Sequence, residues 1–355
     1  MSVGWSQQPA GTVHANWSEF QRPNMMRWNP YENVLSVNNV GRLHRKWSYL
    51  TGYWVTSSPA IVNGVVYIAS NDNNVYALNA NTGVKLWSYT TFGFVASSPA
   101  VANGVVYVGG SALNARTGAK LWSYAMGNGS PFSDAVANGV VYICSFDKHL
   151  YALNARTGAL LWSYTNGNGV PLSAAVKNGV VYVPFDDFNV YALNASTGAK
   201  LWSYTNGFVL SSPAVANGVL YFGSEDYNVY ALNARTGTLL WSFTTGSFVT
   251  SSPAVANGVV YVASFDNNVY ALDARTGAKL WSYASGDLVD SSPAVANGVV
   301  YVGSSDHKVY ALNARTGAKL WSYTTGGKVW SPPVVVNGTL YVGSNDNKVY
   351  AFGLK

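Results

Sequence analysis

Seven aspartates recur at one place in a repeated unit of this chain: Asp72, Asp147, Asp187, Asp226, Asp266, Asp306 and Asp346. A ring of carboxylates could hold cations, but an Asp in a tight turn ordinarily accepts from its own backbone. Calcium asks for about six to eight oxygens, and no EF-hand spacing surrounds Asp186-Asp187, the one Asp-Asp pair among these turns. No metal is expected. The four histidines, His14, His44, His149 and His307, sit in unrelated contexts, so spacing assembles no nucleophile–His–Asp set. The lone Cys144 excludes an intramolecular disulfide, and its run Val141-Tyr142-Ile143-Cys144 marks an inert buried thiol. Residue types thus give catalysis little support, and no cofactor is expected.

Binding finds more. The segments that link one unit to the next carry Tyr53-Trp54, Phe92, Phe94, Phe208, Phe248, Leu288, Lys328 and Trp330. Exposed aromatics around a pocket mouth suit a sugar face or an apolar peptide. The alternative is that they wedge neighbouring units apart. Residues that break their repeat columns are the better ligand candidates: Trp54, Phe94, Phe132, Asp134, Phe185, Asp186, Asp290 and Trp330. Several fall in consecutive units. The second unit lacks about five residues around its middle turn, reading Val108-Gly109-Gly110-Ser111. The third and fourth replace a Ser-Ser-Pro-Ala lead-in with Ser130-Pro131-Phe132-Ser133-Asp134-Ala135 and Val170-Pro171-Leu172-Ser173-Ala174-Ala175. The fourth also places Phe185-Asp186-Asp187-Phe188 at its second turn. These departures predict a notched sector on one face.

The elements that position these groups follow from the unit 251–283, SSPAVANGVVYVASFDNNVYALDARTGAKLWSY. Its Pro belongs at a strand start or edge. Asn257-Gly258 suits a two-residue hairpin. Val259-Val260-Tyr261-Val262 is a buried strand by composition, Val269-Tyr270-Ala271-Leu272 a third, and Leu280-Trp281-Ser282-Tyr283 a fourth. The Trp recurs at 47, 87, 122, 162, 202, 241, 281 and 321, a period near forty residues. Four short strands per period predict an all-β fold, a β-propeller of four-stranded antiparallel blades. Residues 44–50 are a fourth strand without its first three, and 331–352 are three strands without a fourth. The two fragments predict eight blades, with an N-terminal strand completing the last. Residues 1–41 read as an extended arm that covers a face or edge of the ring, and 42–355 as the propeller.

The pattern A-x-[ND]-x-x-T-G-x-x-x-W stands at 77–87, 112–122, 152–162, 192–202, 231–241, 271–281 and 311–321. It resembles the tryptophan-docking motif of the pyrroloquinoline-quinone-like (PQQ-like) β-propellers, which include the quinoprotein alcohol dehydrogenases and a propeller lipoprotein of the barrel-assembly machinery. The resemblance covers roughly residues 42–355 and implies the fold. The quinone enzymes stack their cofactor on a Trp beneath adjacent cysteines, with a catalytic Asp and calcium ligands. With one Cys and no long insertions, this chain offers no counterpart, and so is identified as a non-dehydrogenase member.

Composition agrees. Charged residues are 10% of the chain, with 25 Tyr and 13 Trp, and the net charge is +6. No five-residue basic block occurs, so nucleic acid is not an expected partner. No run of eighteen apolar residues exists, so no membrane span is expected. The start Met1-Ser2-Val3-Gly4 lacks a leader's charged and apolar regions, leaving a cytoplasmic protein or a removed leader; the resemblance favours export. The expectation is a monomeric binding or scaffold propeller for a protein segment or glycan. The alternatives are a PQQ- or calcium-dependent oxidoreductase and a sensor or envelope-assembly module.

Overall fold

A computed structural model describes residues 16–19, 26–91, 97–126, 133–205 and 207–355. Eight four-stranded antiparallel blades form a β-propeller, and blade 7 gains Trp28–Asn29 as a parallel fifth strand beside Val295–Ala296. Blade 1 spans 60–90, blade 2 100–123, blade 3 135–164, blade 4 175–205, blade 5 214–244, blade 6 254–284 and blade 7 294–324. Blade 8 combines Val334–Val336, Thr339–Ser344 and Lys348–Gly353 with the N-terminal strand His44–Leu50. That strand runs antiparallel to the last one, with His44 opposite Gly353 and Leu50 opposite Lys348. The propeller's first and last strands therefore lie in one sheet, which ties the ring shut.

Blade 6 shows how the sequence makes each sheet. Asn257 and Gly258 take φ of 51° and 77°, the pair of positive values a tight hairpin between Ala254–Ala256 and Val259–Ala263 requires. The third strand pairs Leu272 with Lys279 and Ala271 with Trp281, so Leu280 is skipped and a bulge forms. Asp273 Oδ1 accepts from the N–H groups of Arg275 and Thr276 at 3.0 and 2.8 Å, fixing the turn. The docking motif then works between blades. Trp241 Nε1 and the Tyr221 hydroxyl, both from blade 5, each donate to Ala274 O of blade 6 at 3.0 Å. Gly277, at φ 73°, lies flat under the same indole; a Cβ there would stand 2.7 Å from Trp241 Cε3. The pairing repeats around the ring until blade 7, where Trp321 Nε1 donates to Leu43 O at 3.0 Å. The buried Tyr301 hydroxyl of blade 7 has no partner.

The first strand of each blade lines the central channel. Serines staple these inner strands together: Ser212 N donates to Ser252 Oγ, and Ser252 N to Ser292 Oγ, both at 2.9 Å. Blade 2 does carry a clipped hairpin, with Gly109 and Gly110 turning at positive φ between Val105–Val108 and Ser111–Asn114.

The N-terminal arm divides its course: residues 17–19 and 26–29 lie along the inner strands, while Leu35 O accepts from Asn297 Nδ2 at 2.9 Å and Glu32 Oε1 from Gly338 N at 3.1 Å, at the first hairpins of blades 7 and 8. Inner strands present unpaired backbone edges to the channel, and the arm pairs with them in ring order. Trp17 exchanges two 2.7 Å backbone bonds with Ile61 of blade 1, and Ser18 O accepts from Val101 N of blade 2 at 2.6 Å. Glu19 Oε2 accepts from Val136 N of blade 3 at 3.3 Å. Met26 O and Arg27 O accept from Val255 N and Val295 N of blades 6 and 7 at 2.8 and 3.0 Å. Asn29 Nδ2 donates to Val335 O of blade 8 at 2.8 Å. Trp17 and Arg27 are fully buried, with the guanidinium 5.5 Å from the indole centroid. Arg27 also donates to Pro293 O and Pro333 O at 2.8 and 2.9 Å, bridging blades 7 and 8.

Candidate functional site

The recurring turn aspartates serve the scaffold. Asp266 Oδ1 accepts from Asn268 N at 3.0 Å, while Oδ2 accepts from the Tyr270 hydroxyl at 2.6 Å and from Gly246 N at 2.7 Å. Each bond closes the turn or ties it to the preceding blade-to-blade loop. Burial alone would raise Asp266, but the Tyr270 hydroxyl and the Gly246 and Asn268 donors outweigh it and hold the carboxyl below its usual value. Asp72, Asp306 and Asp346 repeat the arrangement with Gly52, Gly286 and Gly326. No group of three or more His, Cys, Asp or Glu side chains able to hold a metal occurs among the described residues.

Of the eight candidates, Phe94 and Phe132 lie outside the described residues. Trp54 and Trp330 meet. They cross at 86° with centroids 6.0 Å apart; Tyr53 stacks on Trp54 at 5.1 Å, and Lys328 Nζ lies 5.5 Å from the Trp330 centroid. Trp330 Nε1 reaches back to blade 7 and donates to Ser305 Oγ at 2.9 Å. Asp290 occupies the Trp330 column one blade earlier, and Thr250 Oγ1 donates to its Oδ1 at 2.7 Å. Burial raises the Asp290 carboxyl, with the Thr250 bond opposing. Asn345 holds the position in blade 8 that Ser305 holds in blade 7; its Oδ1 is covered and has no hydrogen-bond partner.

The remaining candidates are placed differently from expectation. Phe185 is no surface group: its strand runs Val180–Phe185, one residue longer than Val219–Gly223 of blade 5, and carries the ring into the core beside Tyr164 and Tyr191. Asp186 ties its turn to the loop that leads into blade 4, with Oδ1 accepting from Val170 N at 2.6 Å. Asp134 is buried at the position siblings fill with Pro, and neither carboxylate oxygen has a hydrogen-bond partner. Burial pushes it up to about 7, with the nearby Gly110 N–H offsetting part of that rise. The clipped hairpin explains a second orphan nearby. Ser211 and Ser251 bracket Gly223 and Ala263, whereas the matching Ser97 Oγ is buried without a partner.

The sequence names Phe188, Phe208 and Phe248 separately, but not the apolar ridge they form with Tyr227 and Phe265 over blades 4 to 6. Phe188 and Tyr227, at the tips of second turns, are 53% and 44% exposed. Phe188 meets Phe208 at 6.2 Å, Tyr227 meets Phe248 at 5.4 Å, and Phe248 meets Phe265 at 6.2 Å. Both tips hold left-handed backbone, φ 67° and 75°. That conformation suits Asn and disfavours bulky side chains. Blades 1, 6 and 8 use Asn73, Asn267 and Asn347 at the same place, and blades 3 and 7 use Lys148 and His307. The column break at Tyr227 was the available signal.

With the geometry in place, comparison with known proteins assigns the lineage. A family profile described as "Beta-alanine-activating enzyme, beta-propeller" matches residues 128–355, and one described as "Outer membrane protein assembly factor BamB" matches residues 5–131. The chain belongs to the PQQ-like β-propeller repeat family. No curated protein matches this PQQ-like propeller. Among solved structures, BamB from Moraxella catarrhalis is similar, with 23% identity, 88% of this chain and 98% of that one covered, and a TM-score of 0.75. A europium-containing methanol dehydrogenase gives 16%, 96%, 98% and 0.84 in the same order. The quinohemoprotein alcohol dehydrogenase from Comamonas testosteroni gives 16%, 96%, 80% and 0.82. At such identities the likeness carries the fold alone.

The dehydrogenase neighbours raise the question of whether this PQQ-like propeller suits the quinone itself. That cofactor is planar and tricarboxylated, so it needs cationic or N–H donors beside a stacking surface. The described mouth offers Trp54 and Trp330 as a surface and Lys328 as a cation, against the buried acid Asp290. One lysine beside an acid does not answer three carboxylates, so this mouth does not fit the group.

Proposed function

We propose that this PQQ-like propeller is a non-enzymatic binding protein whose turn face takes up an extended apolar protein segment, as an exported scaffold or assembly module. One observation carries the reading. Two exposed aromatics, Phe188 and Tyr227, sit on consecutive blades in a left-handed conformation that blades 1, 6 and 8 give to Asn and blades 3 and 7 to the polar Lys148 and His307. A bulky side chain in the left-handed region costs about 1–2 kcal/mol, and exposure of large aromatics in a row marks an interaction surface more often than a solvated one. The ridge Phe188–Phe208 and Tyr227–Phe248–Phe265 offers apolar area on a rigid frame.

The test is panning of a random-peptide display library on the intact protein and on the double variant Phe188→Asn, Tyr227→Asn. The variant relieves backbone strain, so its melting temperature should hold or rise. Apolar peptides should enrich on the parent and fall by about tenfold or more on the variant. Equal enrichment on both would refute the ridge. A parallel dye-reduction assay with quinone, calcium and a primary alcohol should show no turnover; turnover would overturn the non-enzymatic reading.

A further inference from the structure

The N-terminal arm shows how this ring takes up a peptide, and a second place in the ring repeats the same receiving surface. Strands cross each blade alternately, so first hairpins and third turns share the face opposite the ridge. On that face, between blades 7 and 8, the repeat holds Glu32 and Leu35 of the arm. The Glu32 carboxylate accepts from Gly338 N, 3.1 Å from each oxygen, and the Asn297 side-chain amide donates to Leu35 O at 2.9 Å. The Leu35 side chain is fully buried in one apolar cluster with Ala296, Tyr301 and Val335. Between blades 2 and 3 the same repeat positions are Asn103, Gly139, Ala102, Tyr107 and Val136. The hairpins keep the same backbone: Asn103 and Asn297 take φ of 51° and 43°, Gly139 and Gly338 take 77° and 72°. Ala296 and Val335 are 1% and 0% exposed under the arm, whereas Ala102 and Val136 are only half-buried and line a groove of about 490 Å³.

We propose that this groove docks a Glu-x-x-Leu segment of a partner protein in the manner of the arm. The segment's carboxylate accepts from Gly139 N, its leucine packs on Ala102, Tyr107 and Val136, and its main-chain carbonyl accepts from the Asn103 amide. The Tyr107 hydroxyl is already engaged by Ala155 O at 3.0 Å, so that ring serves as an apolar wall. The volume falls within the roughly 300–1,000 Å³ usual for binding clefts. Ala137 stands where blade 8 has Val336, which leaves room for a side chain at least as large as Leu35. Charge favours an acidic occupant. The third turns of this face carry the exposed Arg116, Arg156, Arg235, Arg275 and Arg315, and Arg156 follows Ala155, which lines the groove. Glu32 and Leu35 are committed to blades 7 and 8 within their own chain, so the second groove is served from another molecule.

The experiment is fluorescence anisotropy on the full chain with a fluorescein-labelled peptide of residues 30–41, PYENVLSVNNVG, as the probe. The tethered arm holds blades 7 and 8 at high effective concentration, so added peptide reads the second groove. Saturable binding is expected below about 1 mM. Glu32→Gln and Leu35→Ala, made in the peptide alone, should each weaken it about tenfold, with the protein's folding untouched. In the protein, Asn103→Gly keeps the positive-φ turn, removes the amide donor and should weaken binding several-fold. Ala137→Trp fills the groove from a half-buried position and should abolish binding at an unchanged melting temperature. Phe188→Asn with Tyr227→Asn should leave binding intact, which separates this site from the ridge. The inference is overturned if binding does not saturate by about 1 mM, or if the Leu35→Ala peptide binds as the parent peptide does. It is equally overturned if both groove variants of the protein bind like the parent, since the peptide would then sit elsewhere.

Discussion

At the scale of the residue, the most consequential groups are two buried carboxylates at the innermost strand of blade 3, Asp134 just before it and Glu19 from the arm. Asp134 has no hydrogen-bond partner among the described residues, and Glu19 accepts from Val136 N at 3.3 Å. Burial pushes each to about 7, with the Gly110 and Val136 N–H groups opposing. A carboxyl whose folded pKa exceeds its unfolded value holds extra protons in the folded state, so stability falls as pH rises. The window runs from the ordinary carboxyl value near 4 up to about 7, and the penalty is constant above it. Asp134→Asn should therefore flatten this dependence. It should raise the melting temperature at pH 8 relative to pH 5, by an amount corresponding to a few kcal/mol at most. Parallel melting curves for parent and variant at the two pH values would contradict the assignment. The aspartate's importance was visible in the sequence as a broken column, but its role was not. Only folding shows that it replaces a Pro in a sealed strand beside a clipped hairpin, where no ligand approaches.

At the scale of the element, the repeat was legible because its mechanics are local. Asn-Gly demands positive φ, Thr-Gly ends a turn, and the Trp lands on the next blade's Ala carbonyl. Phe185 resisted the same treatment. In Phe185-Asp186-Asp187-Phe188 the polar centre reads as one turn, but pairing continues to Phe185, which bridges Pro171, so one Phe turns inward and the other stays at the tip. The docking geometry makes its own prediction. Gly277 combines φ 73° with an indole against its α-carbon. Gly277→Ala adds left-handed strain of about 1–2 kcal/mol and forces Trp241 away from Ala274. Thermal denaturation should show a loss of at least that strain. Gly258→Ala, where nothing stands within 4 Å of a Cβ, should cost only the backbone strain. Equal losses at the two sites would remove the indole contact from the account.

At the scale of the whole molecule, closure has two parts, and the sequence disclosed only one. The shared blade followed from counting strands at both ends. The course of the arm did not, because aromatic residues spaced irregularly among Asn, Gln and Pro carry no period from which a path can be read. Its logic emerges from the ring: unpaired inner edges need donors and acceptors, and a short extended segment can serve successive blades in turn. Trp17 anchors that segment, fully buried against blade 1. Trp17→Ala should lower stability by about 3–5 kcal/mol, the usual cost of deleting a buried indole. The arm's bonds should loosen together. Amide hydrogen exchange should accelerate jointly at Ile61, Val101, Val255 and Val295, whose N–H groups donate to Trp17, Ser18, Met26 and Arg27. Blades 1 and 7 are joined through the arm as well as through blade 8, so faster exchange confined to Ile61 would show that the segment acts as separate contacts and not as one clasp.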